Sequence, residues 1–225
     1  MLVSRKRYNE AMEYYQRTIK TNPVYEAVVF NKVGDLYGIL GDDRNAEKYY
    51  LTALDVHKGN DEQNQEKAAA YLGLSRLASR KGDYKQAEEL IKHAFESFPR
   101  YEYNHYYQAL LHLDKKEYDK AEKALSYCHS PQTEESMDEY EIDYGKAQIA
   151  SARGDQKTAL VFLEKAVNSE NDYAKADIMA KAEKDKYFKN LRKVPAYKKL
   201  KIRVGEIENK LPSMKLNKSL LNLWH

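Results

Sequence analysis

The sequence predicts an all-α protein built as an α-solenoid of antiparallel helix pairs. Five segments of the 225-residue chain share a thirteen-residue pattern, and two adjacent copies lie 34 residues apart in register. Each copy has a small residue at its sixth place and a large apolar residue four places later. Repeats of this length are typical of helical hairpins that bury their apolar faces by stacking on their neighbours. The copies are Lys6 to Thr18, Gly41 to Ala53, Gly82 to Ala94, Lys116 to Cys128 and Gly154 to Ala166.

Composition agrees with a helical chain and excludes several classes of protein. Nine glycines and five prolines are few for 225 residues, as expected when helices dominate. A net charge of +3 gives no argument for nucleic-acid binding by the whole chain. One cysteine excludes an intrachain disulfide and fits a reducing compartment. No apolar stretch is long enough to cross a membrane, and the first residues lack an apolar signal segment. We therefore expect a cytoplasmic location, with a periplasmic or surface location as the alternative if an export signal preceded this sequence.

Turn residues indicate where the helices end. Gly-Asp pairs at 41–42, 82–83 and 154–155 each predict a glycine that ends one helix and an aspartate that caps the next. Proline is predicted to stop a helix, and polar runs predict longer loops. These stops and loops are predicted at Pro23, Gly59-Asn60, Pro99 and Pro131.

These features resemble the tetratricopeptide repeat family, in which small residues let the two helices of each hairpin pack closely. The resemblance implies a right-handed superhelix over residues 1-173, of the bacterial type that carries a C-terminal capping segment. A half-repeat at 5-26 holds only the second helix of its pair. The full repeats are expected to start near residues 27, 68, 102 and 140.

The C-terminal part is predicted to close the array. Residues 174-211 keep apolar spacing but lose the Gly-Asp turn, and Pro195 is expected to split this cap into two helices. The cap is basic, with ten lysines and arginines between Lys181 and Arg203. A solvated face is the simpler interpretation of these charges, and binding to RNA or anionic lipid is the alternative. Residues 212-225 form an apolar tail that is expected to dock on a hydrophobic surface.

No motif in the sequence indicates catalysis, a metal or a cofactor, so we expect a protein that is not an enzyme and has no cofactor. The chain lacks a glycine-rich phosphate loop, paired-cysteine spacing and HExxH. His105 and His112 share a helical face, but the repeat frame places both towards the core. Cys128 occupies one of the small-residue core positions.

The family resemblance implies that the concave groove, lined by the first helix of each repeat, holds a peptide. Arg76 and Arg80 lie one helical turn apart, and Tyr103, Tyr106 and Tyr144 form an aromatic patch beside them. Arginine binds carboxylates bidentately, and tyrosine supplies contact area, so an extended or helical peptide with an acidic group is favoured. The residues that chaperone-docking members use to hold a C-terminal carboxylate are not present. The full candidate set is Asn31, Asp35, Leu72, Arg76, Arg80, Tyr103, Tyr106, Leu110, Tyr144 and Gln148.

We therefore expect a non-catalytic scaffold or adaptor for protein–protein interaction, whose partner is a protein or peptide. One alternative is a self-assembly module that forms a homo-oligomer through exposed repeat ends, either the N-terminal half-repeat or the 213-225 tail. The other is anion binding by the basic cap, and nucleic acid is the less favoured partner there.

Overall fold

The computed structural model describes residues 13–15, 17–18, 26–56, 64–128, 137–168 and 172–208. The predictions for Pro23, Gly59-Asn60, Pro131 and the 213-225 tail lie outside these ranges. The predicted all-α, right-handed solenoid is confirmed. Its helices are α1 (Glu26–Leu40), α2 (Asp43–Val56), α3 (Asn64–Lys81), α4 (Tyr84–Ser97), α5 (Glu102–Asp114), α6 (Tyr118–Leu125), α7 (Glu139–Arg153), α8 (Gln156–Asn168), α9 (Asp172–Lys184) and α10 (Pro195–Glu208).

Small residues set how closely the helices approach. The four pairs α1/α2, α3/α4, α5/α6 and α7/α8 each pack as a hairpin, and α1, α3, α5 and α7 also contact one another in series. The alanines of the thirteen-residue pattern are fully buried where the helices cross, so no larger side chain holds the backbones apart. These alanines, each 0% exposed, are Ala46, Ala53, Ala87, Ala94, Ala121, Ala159 and Ala166.

Three hairpin turns use the predicted glycine–aspartate pair. Gly41, Gly82 and Gly154 have φ angles of 81°, 82° and 94°, in the left-handed region that glycine enters without steric cost. The aspartate that follows each glycine accepts a backbone N–H from the first turn of the next helix, at 3.0–3.1 Å. The α5–α6 turn differs, because Lys116 takes the glycine position with φ 61°.

The ring of Tyr50 joins the first two complete repeats. It is 4% exposed and lies between two helix backbones, at Gly34 on α1 and Gly73 on α3. A β-carbon at Gly34 would lie 2.6 Å from the ring, and one at Gly73 would lie 2.4 Å from it. The Tyr50 hydroxyl donates a hydrogen bond of 2.8 Å to Asp35 Oδ1. Glycine is therefore needed at both places so that this tyrosine can pack.

The cap covers the last repeat with a mixture of helix types. Between α9 and α10 the chain forms two 3-10 turns, Lys186–Phe188 and Leu191–Lys193. Phe188, Leu191 and Tyr197 are buried in one cluster with residues of α7 and α8. Arg192 donates to the backbone oxygens of Ala182 at 3.0 Å and Asp185 at 2.8 Å, which ties the turns to the end of α9.

Candidate binding groove

The first helices of the four pairs, α1, α3, α5 and α7, line one side of the solenoid, which we call the groove. Burial raises the pKa of Glu141 on α7, and Lys32 on α1 opposes that rise. Burial also raises the pKa of Tyr107 on α5, and Asp35 on α1 adds to the rise. Side chains of α1, α5 and α7 therefore lie close enough to affect one another's pKa, although α3 stands between α1 and α5 in the stack.

Six of the ten groove residues predicted from the sequence are buried in the structure. A partner could not touch these side chains without moving their neighbours, so they shape the groove rather than form its surface. Asp35, Arg76 and Tyr103 are half-buried, and Arg80 is exposed. The six buried residues are Asn31, Leu72, Tyr106, Leu110, Tyr144 and Gln148.

The two predicted groove arginines already have partners within the chain. Arg76 Nη1 lies 3.1 Å from Asp114 Oδ2. Arg80 Nη2 lies 2.7 Å from Asp43 Oδ1, and its Nη1 donates to the Gly38 backbone oxygen at 2.9 Å. Both guanidinium groups therefore hold neighbouring repeats together, and neither is left as an open fork for an acidic peptide.

Asp114, at the end of α5, is the centre of a hydrogen-bond network. Its side chain is 1% exposed and receives Ser79 Oγ at 2.5 Å, Lys186 Nζ at 2.6 Å and the Tyr187 hydroxyl, in addition to Arg76. Burial alone would raise the pKa of Asp114, but Arg76 and the three donors outweigh it, so the pKa is lowered. The carboxylate is thus ionised and fully satisfied.

The residues that reach Asp114 from the cap belong to the segment Asp185–Phe188, which we call the cap turn. Asp185 Oδ2 accepts hydrogen bonds from the Tyr144 hydroxyl at 3.0 Å and from Gln148 Nε2 at 2.6 Å. Ser151 Oγ donates to the Tyr187 backbone oxygen at 2.8 Å. The cap turn therefore occupies the groove against α5 and α7.

Sequence reasoning did not find the cap turn as part of the groove. Its partner Asp114 lies 72 and 73 residues before Lys186 and Tyr187, and no repeat period connects positions so far apart. The tyrosine and acidic residues of the cap were the one hint of this contact in the sequence. They did not single it out, because this chain carries such residues in many places.

Among the described residues, the cap turn makes no contact with the N-terminal end of the groove. We therefore call that end the open end and define it by Lys32, Asp35, Tyr103, Tyr107 and Glu141. Tyr15 lies close to it, because Asp35 contributes, after burial, to raising the pKa of Tyr15. Tyr103 donates a hydrogen bond of 2.6 Å to Glu141 Oε2, as Tyr50 does to Asp35. Burial raises the pKa of both carboxyl groups, although nearby lysines and these hydroxyls oppose the rise.

The residues considered for other chemistry pack in the core or pair on the surface. The ring of His105 lies 5.0 Å from that of Phe95, centroid to centroid, and His112 Nδ1 lies 2.7 Å from Glu117 Oε2. Cys128 is buried, and burial raises the pKa of its thiol to about 12. Within the described residues, no group of three histidine, cysteine or acidic side chains is arranged to hold a metal.

Several cations of the basic cap also have partners inside the chain. Lys201 pairs with Glu183, and Arg203 donates to Asn168 Oδ1 at 3.3 Å. Lys189, Lys193 and Lys199 are exposed on the cap surface. No described helix combines the length and apolar character that crossing a membrane requires.

Comparison with known proteins matches one part of the chain to a family model and most of it to solved structures. Residues 25–100 match the family model described as tetratricopeptide repeat. A thermophilic tetratricopeptide repeat protein of Thermus thermophilus is 24% identical, with a TM-score of 0.55 over 91% of this chain and 92% of that one. The APC/C hetero-tetramer Cut9-Hcn1 gives 15% identity and a TM-score of 0.56 over 91% of this chain. Yeast Tom70 is 18% identical in sequence, with a TM-score of 0.52 over 98% of this chain.

These structural similarities concern the fold. The chain spans 38% of the matched chain in the APC/C assembly and 47% of the Tom70 chain. No curated protein sequence matches this one.

Proposed function

Because this chain carries tetratricopeptide repeats, we propose that it is a non-catalytic scaffold or adaptor that holds a partner's peptide or helix in the groove. A stack of helical hairpins builds an extended concave surface and leaves it lined by side chains from several repeats. The observation that carries the proposal is the open end of the groove. There, charged and tyrosine side chains from α1, α5 and α7 face one another, and Tyr107 has no hydrogen-bond partner among the described residues.

The polar lining supports binding over a purely structural role. Tyrosine offers a large contact area with little conformational entropy to lose, and it is enriched at interface hot spots. Lys32 is exposed on α1, and Lys181 Nζ lies 4.3 Å from the centroid of the Tyr144 ring, so a partner would meet both aromatic and charged groups. Such a mixture suits recognition of a peptide segment more than non-specific apolar contact.

Affinity capture with two charge-matched variants tests the proposal. One variant reverses two lysines near the open end, Lys32→Glu on α1 and Lys181→Glu on α9. The control reverses two exposed lysines on second helices, Lys85→Glu on α4 and Lys123→Glu on α6. The proposal expects the groove variant to lose partners that the wild type and the control retain, with cross-links from those partners to α1, α5 or α7. Partners retained by the groove variant and lost by the control would contradict it.

A further inference from the structure

Among the described residues, α10 packs on the array by one side only. Tyr197, Leu200 and Val204 of α10 are buried in the cluster that joins the cap to α7 and α8. The Tyr197 hydroxyl donates to Glu183 Oε1 at 2.8 Å, and Lys201 pairs with the same carboxylate, which fixes the side of α10 that meets the end of α9. Because an α-helix has 3.6 residues per turn, the residues between these positions point away from the solenoid.

Two lysines and an isoleucine share this outward side, which we call the outer face of α10. Lys198 and Lys199 lie four and three residues before Ile202, so the three side chains are neighbours on the helix surface. Both lysines are exposed, and neither makes an ion pair among the described residues. Ile202 is 62% exposed, the highest value among the exposed large apolar side chains that the structure describes. A single exposed isoleucine is common on protein surfaces, so its surroundings decide what it means.

Positive charge is concentrated in this part of the chain. Residues 181–207 contain ten lysines and arginines and three acidic residues, whereas the whole chain has a net charge of +3, so the remainder is net negative. Of the three acidic residues, Glu183 and Asp185 already accept hydrogen bonds from side chains of the cap and of α7. Lys184, Lys189 and Lys193 are exposed as well. A surface with this excess of cations attracts a polyanion or an anionic lipid surface.

The aromatic side chains of the cap favour lipid over nucleic acid. Proteins that hold single-stranded nucleic acid stack its bases on exposed aromatic rings. Tyr197 and Phe188 are 1% and 0% exposed, and Tyr187 is half-buried with its hydroxyl on Asp114. Within residues 174–207, therefore, no exposed ring accompanies the lysines. A lysine ammonium is a flexible point charge that needs no fixed geometry in its partner, which suits a layer of lipid headgroups.

The sequence that follows α10 is both basic and apolar. Residues 209–225 contain five leucines, three lysines, no acidic residue and the one tryptophan of the chain, Trp224. Lysine combined with leucine and tryptophan is typical of segments that lie in the membrane interface, where tryptophan rings are enriched at the level of the headgroups. One apolar anchor alone binds membranes weakly and reversibly, whereas an apolar anchor beside a polybasic surface gives stable attachment.

We propose that the outer face of α10, together with residues 209–225, binds an anionic membrane surface. Lys198 and Lys199 meet the headgroups, and Ile202 and Trp224 enter the boundary between headgroups and acyl chains. This inference goes beyond the proposed function, because the groove is lined by α1, α3, α5 and α7 and not by α10. A partner held in the groove would then be presented at a membrane to which the protein is attached peripherally.

Vesicle flotation with the full chain tests the role of the lysines. Vesicles of phosphatidylcholine and phosphatidylglycerol, at about 2:1, are compared with vesicles of phosphatidylcholine alone. We expect binding to the mixed vesicles that weakens as salt rises, and little binding to the neutral ones. Each lysine near an anionic surface contributes about fivefold to binding, so Lys198→Gln with Lys199→Gln should weaken it at least about tenfold. The control, Lys85→Gln with Lys123→Gln, removes the same charge from exposed positions on α4 and α6 and should stay within about twofold of the wild type.

A second pair of variants tests the apolar contact. Ile202→Gln should weaken binding to the mixed vesicles about fivefold, because it removes an apolar side chain that lipid would cover. Val161→Gln on α8 is the matched control, since Val161 is 57% exposed but lies outside the cap. It should leave binding unchanged. Both positions are exposed, so far-ultraviolet circular dichroism should show the wild-type fold for each variant.

Trp224 reports on its own segment without a label, because it is the one tryptophan of the chain. On the mixed vesicles its fluorescence should shift to shorter wavelength and be quenched by lipids brominated on their acyl chains. No binding to these vesicles at low salt, equal weakening by the two lysine pairs, or unchanged fluorescence in the bound state would overturn the inference. So would a single-stranded RNA that binds through Lys198 and Lys199 while the vesicles do not. None of these outcomes affects the affinity-capture test of the groove.

Discussion

Replacing Gly73 by alanine should destabilise the protein, although the same change in most helices is stabilising. A β-carbon at Gly73 would lie 2.4 Å from two ring carbons of Tyr50, whereas carbon atoms in contact prefer about 3.5–4.0 Å. The ring has little room to retreat, because Gly34 faces it on the other side so closely that a β-carbon there would lie 2.6 Å from it. Overpacking of this kind costs about 3 kcal/mol at the upper end of its range. The higher helix propensity of alanine offsets about 1 kcal/mol of this cost. We therefore expect the free energy of unfolding to fall by about 2 kcal/mol.

Gly205→Ala provides the matched control. Gly205 lies in α10, and an added β-carbon there meets no atom within 4 Å. That substitution should therefore stabilise the chain by about 0.5–1 kcal/mol through helix propensity alone. Urea unfolding followed by far-ultraviolet circular dichroism measures both changes. The two glycine-to-alanine substitutions should move the unfolding midpoint in opposite directions.

A double-mutant cycle shows whether the tyrosine ring is the cause. Tyr50→Leu removes the ring atoms that a β-carbon at Gly73 would strike, at its own cost in packing. The cost of Gly73→Ala should then fall by at least about 1 kcal/mol in the Tyr50→Leu background. If the two changes add to within about 0.5 kcal/mol, or if Gly73→Ala stabilises the chain as Gly205→Ala does, the packing argument is wrong.

Three further predictions follow from other contacts. Lys116→Gly should raise stability by about 0.5–1 kcal/mol in urea unfolding, because Lys116 holds a positive φ that glycine adopts without strain; no gain would contradict that account of the turn. Asp114→Asn should cost about 2 kcal/mol and speed hydrogen exchange in the cap turn, since it removes a buried charge with several donors. The exposed control Asp119→Asn should leave that exchange unchanged. Because the pKa of Asp114 is lowered, the wild-type contribution should be present above the ordinary titration range of aspartate and lost as the pH falls through its lowered value. Asp35→Asn should raise the midpoint of urea unfolding at neutral pH, because it removes a carboxylate whose ionisation burial makes unfavourable. The pKa of Asp35 is raised, so its favourable contribution exists only below the ordinary aspartate range and is lost as the pH rises; an equal gain at acidic and neutral pH would contradict this assignment.

The sequence was a good guide wherever structure depends on neighbouring residues. The Gly-Asp pairs predicted both the ends of helices and their caps, because a left-handed residue followed by an N-cap is a local requirement. The alanines of the repeated pattern predicted close helix approach for the same reason. Among the described hairpin turns, the one between α5 and α6 departs from the pattern, and there Lys116 takes the strained conformation itself.

The sequence was a poor guide to the groove because its surface depends on which side chains meet across repeats. Arg76 and Arg80 have the spacing of a binding pair, yet their partners Asp114 and Asp43 are supplied by neighbouring repeats. Periodicity places Tyr144 on the groove face but does not show that the cap turn covers it. Counting charges on each helix separately therefore gave two free arginines, whereas in the structure both pair with carboxylates of neighbouring repeats.

The contact of the cap turn with Asp114 changes how the C-terminal half should unfold. In a simple array each repeat touches only the next, so unfolding can travel along it one unit at a time. Here the Asp114 carboxylate at the end of α5 binds both Arg76 of α3 and the cap turn, and Asp185 of the same turn binds Gln148 of α7. These three repeats and the cap should therefore melt as a single cooperative block. The repeat formed by α1 and α2 makes no contact with this carboxylate among the described residues and is joined to α3 by Tyr50 and Arg80 instead, so it should unfold in a separate step.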